Sequence, residues 1–245
     1  MKKEKLLFPL LGLGTLMMVL TSCNNDNDTM ETLRPTALVT VCPETDGSFI
    51  MQLDNTTQLV PVNMKQSPFE DKEVRALVNY TEAGGETAAA NIRNVQVHWI
   101  DSIRTKLPVA SAGDDNDARY GNDPVEIVRD WVTVAEDGYL TLRVRTLWGT
   151  SGKPHILNLL TGTDPSDPYK LELRHDAQGD VNGYWGDALI AFNLNKLPRE
   201  NSDTKKFTLK WKSFSGEKSL EFDIQMRPVK PEIDPRGIKH SKAVR

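Results

Sequence analysis

The chain has 245 residues, of which 38% are hydrophobic and 26% charged, and its net charge is −4. This composition excludes a collagen, a coiled coil and a wholly disordered chain, because each departs strongly from these proportions. Loss of residues 1–22, which hold three lysines and one glutamate, brings the net charge to −6. An acidic chain lacks the basic surface on which phosphate binding depends, so nucleic acid is not expected as a partner.

The first 22 residues have the features of a bacterial export signal. Three lysines precede an apolar run over residues 6–20, which is shorter than the roughly 20 residues that a membrane-spanning helix needs. Residues 20–23, Leu-Thr-Ser-Cys, resemble a lipobox, in which the cysteine receives a diacylglycerol and its new amino group an acyl chain such as palmitate. The sequence therefore predicts a lipoprotein signal peptide over 1–22 and lipidation of Cys23. The alternative is an ordinary signal peptide followed by an unrelated cysteine.

Residues 23–32 are polar, without apolar periodicity, and are predicted to form a flexible tether. They resemble the stretch that follows the cysteine in lipoproteins of the Bacteroidetes. Asn24 differs from the signal that retains lipoproteins in the inner membrane, so we expect an anchor in the outer membrane, on its periplasmic face or at the cell surface. Residues 28–30, Asp-Thr-Met, also resemble a short O-glycosylation motif of that phylum, which makes Thr29 a candidate glycosylation site.

Cys42 is the only other cysteine, so lipidation of Cys23 leaves no partner for a disulfide within the chain. No histidine lies near Cys42 in the sequence to activate it as a nucleophile. Because Cys42 ends the apolar stretch over residues 37–41, we expect it at a strand end or in a core.

Residues 33–106 alternate apolar and polar side chains with a period of two, which is typical of β-strands. Phe49, Met51 and Leu53 illustrate the pattern, and the polar residues 54–57 supply a turn. About five short strands joined by turns favour a small closed barrel over an open sheet, because closure removes unpaired edges. The sequence predicts an OB-like barrel here.

Residues 107–124 contain proline, glycine and several aspartates, and are predicted to be a polar linker between two domains. The acidic residues 114–117 raise the question of a calcium site, because carboxylates suit that ion. Their spacing lacks the order of a known calcium loop, so a solvated acidic linker is the favoured interpretation and no metal is expected.

Alternation returns over residues 125–228. Asp137 and Gly138 lie between two alternating runs, which is a hairpin signal, and about seven strands without an amphipathic helix favour a two-sheet antiparallel β-sandwich. Residues 229–245 carry prolines and basic residues and are predicted to be disordered. The fold class is thus all-β, with an OB-like barrel followed by a sandwich.

This arrangement resembles the NigD-like family of Bacteroidetes lipoproteins. The stretches that carry the resemblance are residues 47–54, 74–80, 94–101, 131–134, 138–140, 171–176 and 191–194. The resemblance implies an N-terminal OB domain and a C-terminal β-sandwich. The family takes its name from a gene linked to a bacteriocin locus, and the resemblance supplies no catalytic residues.

No constellation in the sequence indicates catalysis. The histidines lack the spacing of a helical zinc site, and glycine-rich phosphate loops are absent. His175 and Asp176 could be drawn as a base and its orienting carboxylate, but neighbours on a strand point to opposite faces. We expect His175 to donate a hydrogen bond to a loop carbonyl instead, and we expect neither an enzyme nor a cofactor.

Aromatic side chains supply the candidate binding site. Tyr184 and Trp185 lie in a glycine-rich polar segment and could offer flat faces to a ligand; the alternative is that one of them closes the end of the sandwich. Trp148, at a strand end, is a further candidate. The other tryptophans of alternating strands are expected in cores: Trp99, Trp131 and Trp211.

Two functions remain open at this point. The first is a lipid-anchored, non-catalytic envelope protein that binds an envelope protein or a peptide such as a bacteriocin, through an apolar surface patch. The second is a glycan-binding surface lipoprotein of a polysaccharide-capture system, with a shallow groove, a surface tryptophan and adjacent carboxylates. Binding of single-stranded nucleic acid would need a basic groove, which residues 33–106 do not provide.

Overall fold

The structure is a computed structural model, and it describes residues 34–85, 87, 89–199 and 204–227. Four predictions fall outside these residues: the signal peptide, the lipidation site Cys23, the tether with the candidate glycosylation site Thr29, and the tail over 229–245. Among the residues described, no helix has the length and apolar character needed to cross a membrane.

The first domain is a closed five-stranded barrel. Its strands are β1 (Ala37–Pro43), β2 (Phe49–Gln52), β3 (Gln58–Pro61), β4 (Val74–Glu82) and β5 (Ile92–Ser102). They pair in the order β1-β2-β3-β5-β4, and β4 returns to β1. Alternate side chains fill the interior, where Val39, Val41 and Met51 are fully buried. The period-two pattern marks the face that fills the barrel, although both faces of β1 are buried, and the prediction of a small barrel is confirmed.

Among the residues described, the second domain has ten strands and one short helical segment. The strands are β6 (Arg104–Lys106), β7 (Val109–Ala110), β8 (Glu126–Val128), β9 (Val134–Glu136), β10 (Tyr139–Trp148), β11 (Ile156–Thr161), β12 (Lys170–Asp176), β13 (Tyr184–Asn193), β14 (Thr204–Ser213) and β15 (Gly216–Gln225). A single 3₁₀ turn, Gly113–Asp115, leads into the helix α1, Asn116–Tyr120.

These strands form the two sheets of a sandwich. The first sheet has the order β6-β13-β10-β8, with β9 also paired to β10, and the second has the order β15-β14-β12-β11-β7. Most pairs are antiparallel, whereas β6–β13, β7–β11 and β12–β14 are parallel. Aliphatic and aromatic side chains of both sheets form one core, including Leu142, Leu171 and Phe192. The predicted hairpin is present, since Asp137 and Gly138 have positive φ angles between β9 and β10.

Residues 107–124 differ from the expected polar linker, because they pack on the sandwich. β7 pairs with β11, and Tyr120 is buried and donates a hydrogen bond from its hydroxyl to the carbonyl of Ala110 at 2.9 Å. Asn116 is also buried and accepts a hydrogen bond from the backbone N–H of Ala112 at 2.7 Å. Asn116 and Tyr120 are thus buried, whereas Asp114, Asp115 and Asp117 are exposed. Asp117 forms an ion pair with Arg174 at 2.5 Å.

A buried polar network joins the barrel to the sandwich. Arg75 on β4 is 0% exposed and donates to the hydroxyls of Thr40 at 2.9 Å and Thr141 at 3.3 Å. It also forms an ion pair with Glu136 on β9. A small apolar cluster also contains residues of both domains, among them Leu38 of the barrel and Ala191 of the sandwich. A buried guanidinium needs acceptors for its N–H groups, and here two hydroxyls and the Glu136 carboxylate accept from its three nitrogens.

Candidate functional site

The two long strands β10 and β13 carry all three aromatic residues predicted as ligand-binding candidates. Their register pairs Trp148 with Tyr184 and Leu147 with Trp185. Directly opposed residues on antiparallel strands point to the same face, so Trp148 and Tyr184 share the inner face, and Leu147 and Trp185 share the outer face.

Trp148 lies against the second sheet. Its ring stacks on the imidazole of His155 with centroids 4.1 Å apart. Gly186 makes room for this ring, because a Cβ atom at position 186 would lie 2.5 Å from Cδ1 of Trp148. Trp148 therefore closes this end of the sandwich, and its face is covered by histidine.

Tyr184 and Trp185 project into solvent, with 83% and 56% of their surface exposed. The Trp185 ring makes an edge contact with Phe214, from the turn between β14 and β15, with centroids 4.8 Å apart. Val181 and Phe214 are exposed as well, at 39% and 41%. We call Leu147, Val181, Trp185 and Phe214 the aromatic patch. Phe214 and Val181 have no distinctive signal in the sequence, because only the three-dimensional structure brings these three segments together.

A charged cluster adjoins the patch on the outer face of the first sheet. Asp187 accepts hydrogen bonds from Arg145 at 2.5 and 3.0 Å and from Arg143 at 2.7 Å, and Arg143 also reaches Asp130 at 2.7 Å. The hydrogen bonds from Arg145, followed by those from Arg143, lower the pKa of Asp187 to about 2. Asp187 therefore stays ionised at any physiological pH, and the arginines neutralise its charge.

Trp131 is exposed at 55%, which corrects the expectation of a core position. It lies in the turn between β8 and β9, where Asp130 accepts the backbone N–H of Val132 at 3.1 Å. Val132 takes the buried position of this turn, at 5% exposure, while Trp131 faces solvent. Of the other tryptophans expected in cores, Trp211 is buried and Trp99 is half-buried.

Trp131 lines one wall of a cleft of about 310 Å³. The opposite wall comes from Pro35 and Leu77 of the barrel. The floor is the outer face of the first sheet, with Arg143, Asp187 and Leu189, and Ala188 also lines the cleft although its side chain packs on the sandwich core. We call this the Trp131 cleft. It combines a flat aromatic ring, aliphatic side chains and an arginine–carboxylate pair.

His175 is buried and contacts a backbone carbonyl, as predicted. Its Nδ1 lies 3.1 Å from the carbonyl oxygen of Pro124, and its Nε2 lies 2.9 Å from Nδ1 of His155. Burial lowers the pKa of His175. The carboxylate of Asp176 accepts the N–H of Gln178 at 2.8 Å, so it is not the partner of the imidazole. Among the residues described, no group of three or more His, Cys, Asp and Glu is arranged to hold a metal ion.

An OB barrel followed by a two-sheet sandwich defines a class of two-domain all-β proteins. Residues 38–103 match the NigD-like N-terminal OB domain, and residues 107–224 match the NigD-like C-terminal beta sandwich domain. The chain belongs to the NigD-like family. No protein with a curated description matches it.

Solved structures support the same assignment. A protein described as toxin-related, from Parabacteroides distasonis, is 31% identical with a TM-score of 0.65, and the match covers 77% of this chain and 92% of that one. A NigD-like immunity protein from Bacteroides caccae is 23% identical with a TM-score of 0.53, covering 77% and 96%. A protein described as a lipoprotein, from Bacteroides fragilis, is 13% identical with a TM-score of 0.54, covering 79% and 98%. The last two show a shared fold.

Proposed function

We propose that this protein is a non-catalytic lipoprotein of the cell envelope that binds a protein or peptide through the exposed end of its sandwich. The aromatic patch is the observation that carries the proposal. Trp185 and Phe214 expose apolar surface beside Val181 and Leu147, although side chains of this size are usually buried in a monomeric protein. Aromatic residues in such patches contribute much of the binding energy at protein interfaces.

The relatives favour a peptide toxin as the partner. One similar structure is described as toxin-related and another as a NigD-like immunity protein. An immunity protein must recognise a toxin without chemical turnover, and a preformed apolar patch on a rigid sheet suits that task. The candidate base His175 supports a non-catalytic role, because it is buried and faces the carbonyl of Pro124 and a second histidine.

The lipobox at residues 20–23 supports an anchor at Cys23 in the outer membrane. The Cys23→Ala variant should move from the detergent phase to the aqueous phase in Triton X-114 partitioning, and should lose the mass of its acyl chains. Cys42→Ala is the matched control and should partition like the wild type. Unchanged partitioning of Cys23→Ala would refute the anchor.

A photo-crosslinking amino acid in place of Tyr184 tests the binding surface in intact cells of the bacterium that produces this protein. We expect a discrete adduct at this position and its loss when Trp185→Ala and Phe214→Ala are added. The same probe in place of Arg93, exposed on the barrel, should give no adduct. Equal adducts at both positions, or no adduct at position 184, would contradict binding through the patch.

The Trp131 cleft favours glycan binding as the second candidate function. A sugar ring can stack on an exposed tryptophan while its hydroxyls bond to neighbouring carboxylates and guanidinium groups, and Trp131, Asp187 and Arg143 offer this combination. Affinity electrophoresis against bacterial and dietary polysaccharides tests it. Retardation that Trp131→Ala abolishes would support the second function, while retardation that survives Trp131→Ala, Trp148→Ala and Trp185→Ala would exclude stacking on these rings.

A further inference from the structure

Strand β13 has one edge that is only partly paired. Along its whole length it pairs with β10, whereas on its other side β6 covers only residues 190–192. Leu194 directly follows β13, and its N–H donates to the carbonyl of Gly138, directly before β10, at 2.7 Å. This bond shows which residues of β13 direct their backbone groups toward β10. Because the bonding side alternates along an antiparallel strand, the even-numbered residues of β13 bond to β10. The N–H and C=O groups of Trp185 and Asp187 therefore point away from β10, toward the open edge.

Exposure of the backbone agrees with this geometry. The side chain of Asp187 is only 21% exposed because the arginines cover it, yet the residue as a whole is exposed, so much of its exposed surface belongs to the main chain. Among the residues described, no other strand pairs with this side of residues 184–189.

The edge also lacks the usual protection against added strands. Natural sheets protect open edges with lysine, proline or a bulge. Residues 184–189 contain neither lysine nor proline, their pairing with β10 is regular, and their one charge, on Asp187, is neutralised by Arg143 and Arg145. An unprotected edge of this kind accepts another strand readily.

The Trp131 cleft lies beside the same edge. Asp187, Ala188 and Leu189 of β13 form part of its floor, and Leu77 of the barrel stands across from them. A strand added at about 4.8 Å from β13 would place every second side chain on the outer face, where the cleft opens. An apolar side chain would there contact Trp131.

We propose that the open edge of β13, residues 185–189, binds an extended peptide segment by strand addition, with an apolar side chain of the peptide in the Trp131 cleft. This inference rests on the proposed function and gives the partner a conformation. Main-chain hydrogen bonds to Trp185 and Asp187 supply affinity, and the cleft selects the side chain. An extended peptide fits these observations better than a glycan, because its N–H and C=O groups repeat at the same spacing as those of β13. It also fits better than a second copy, because Pro35 and Leu77 of this chain line the cleft beside the edge, and a second folded copy would have to approach past them.

Fluorescence anisotropy with the mature chain, residues 23–245 in detergent, tests the proposal. The probe is a labelled peptide of seven alternating threonines and valines flanked by lysines. Trp185→Pro removes the edge N–H without removing a bond to β10, and Trp185→Val, which keeps the N–H, is the matched control. We expect Trp185→Pro to weaken binding more than tenfold relative to Trp185→Val. A peptide with two consecutive central amides N-methylated should bind wild-type protein more than tenfold more weakly, and this comparison does not depend on the folding of any variant.

Several results would overturn strand addition. Equal binding of the proline and valine variants, or of the methylated and unmethylated peptides, would show that side chains alone carry the contact, and would leave the proposed function intact. No binding of the unmethylated probe by wild-type protein would also overturn it. A wild-type dimer in sedimentation analysis that Trp185→Pro dissociates would assign the edge to a second copy. Displacement of the probe by a polysaccharide at the cleft would assign the site to a glycan.

Discussion

Two regions of the molecule hold arginine–carboxylate pairs in opposite surroundings. At the joint between barrel and sandwich, Arg75 is fully buried and all its contacts are internal: Thr40, Thr141 and Glu136. At the outer face of the first sheet, Arg143 and Arg145 are 38% and 47% exposed and bind Asp187 beside an open strand edge. The first network joins the two domains, whereas the second neutralises Asp187 on the face that we propose for binding.

The difference in burial shows that the same kind of arginine–carboxylate pair can serve stability in one place and recognition in another. A buried charge without its partner costs several kcal/mol, so the fully buried Arg75 depends on its acceptors at the joint. An exposed pair contributes little to stability, so the outer face is free to be shaped by binding. The experiments below test this contrast, beginning with the joint.

Replacement of Arg75 by alanine should have the largest effect. It leaves Glu136 without its partner and opens a cavity between the domains, and we expect a loss of about 3–5 kcal/mol in the free energy of unfolding. Urea denaturation measures it. Arg93→Ala, which breaks the exposed pair with Glu82, is the matched control and should cost less than about 1 kcal/mol. Similar losses in the two variants would contradict the role of the joint.

Gly186→Ala should have the next largest effect, because the new methyl group meets the Trp148 ring. We expect a loss of about 1–3 kcal/mol from overpacking. A double-mutant cycle with Trp148→Ala checks the cause, since removal of the ring should abolish most of the penalty. Additive losses would show that the ring does not fill this space.

The buried His175 predicts a dependence of stability on pH. Burial places its folded-state pKa below the ordinary value of about 6.5, so the unfolded chain binds the extra proton first. Its contribution is complete above pH 6.5 and is lost as the pH falls toward the folded-state pKa. Urea midpoints between pH 7.5 and 5 should therefore fall more steeply in wild type than in His175→Gln. His98→Gln, exposed on the barrel, should behave like wild type.

The smallest effect on stability is expected at the aromatic patch. Trp185→Ala and Phe214→Ala should each change the unfolding free energy by less than about 1 kcal/mol, because both rings are substantially exposed. Thermal unfolding measures the change. A large loss would mean that the patch contributes to the sandwich core, and would weaken its assignment to binding.

The alternating strands predict much of the fold. Val39 and Val41 alternate as expected of a barrel strand, and Asp137 with Gly138 identifies the β9–β10 hairpin. The alternating pattern places Trp131 in a core, but Trp131 lies in a turn, where alternation does not show which side chain is buried. Residues 107–124 pack on the sandwich through a few buried side chains, although most of the segment is polar. The composition of the segment does not show that Tyr120 is one of those buried side chains.

The candidate site was predictable in its aromatic residues but not in its edge. Tyr184 and Trp185 stand out in the sequence, and both are exposed. The open side of β13 depends on how far β6 extends along it, and the Trp131 cleft depends on a neighbouring domain. Neither relation has a local signal in the sequence.

Amide hydrogen exchange followed by NMR tests the open edge most directly, without any ligand. The N–H groups of Gly186 and Ala188 bond to β10, whereas those of Trp185 and Asp187 point to solvent. We predict that Asp187 exchanges about tenfold or more faster than Ala188, and Trp185 faster than Gly186. Equal protection of all four amides, or the reverse alternation, would contradict an open, peptide-accepting edge on β13.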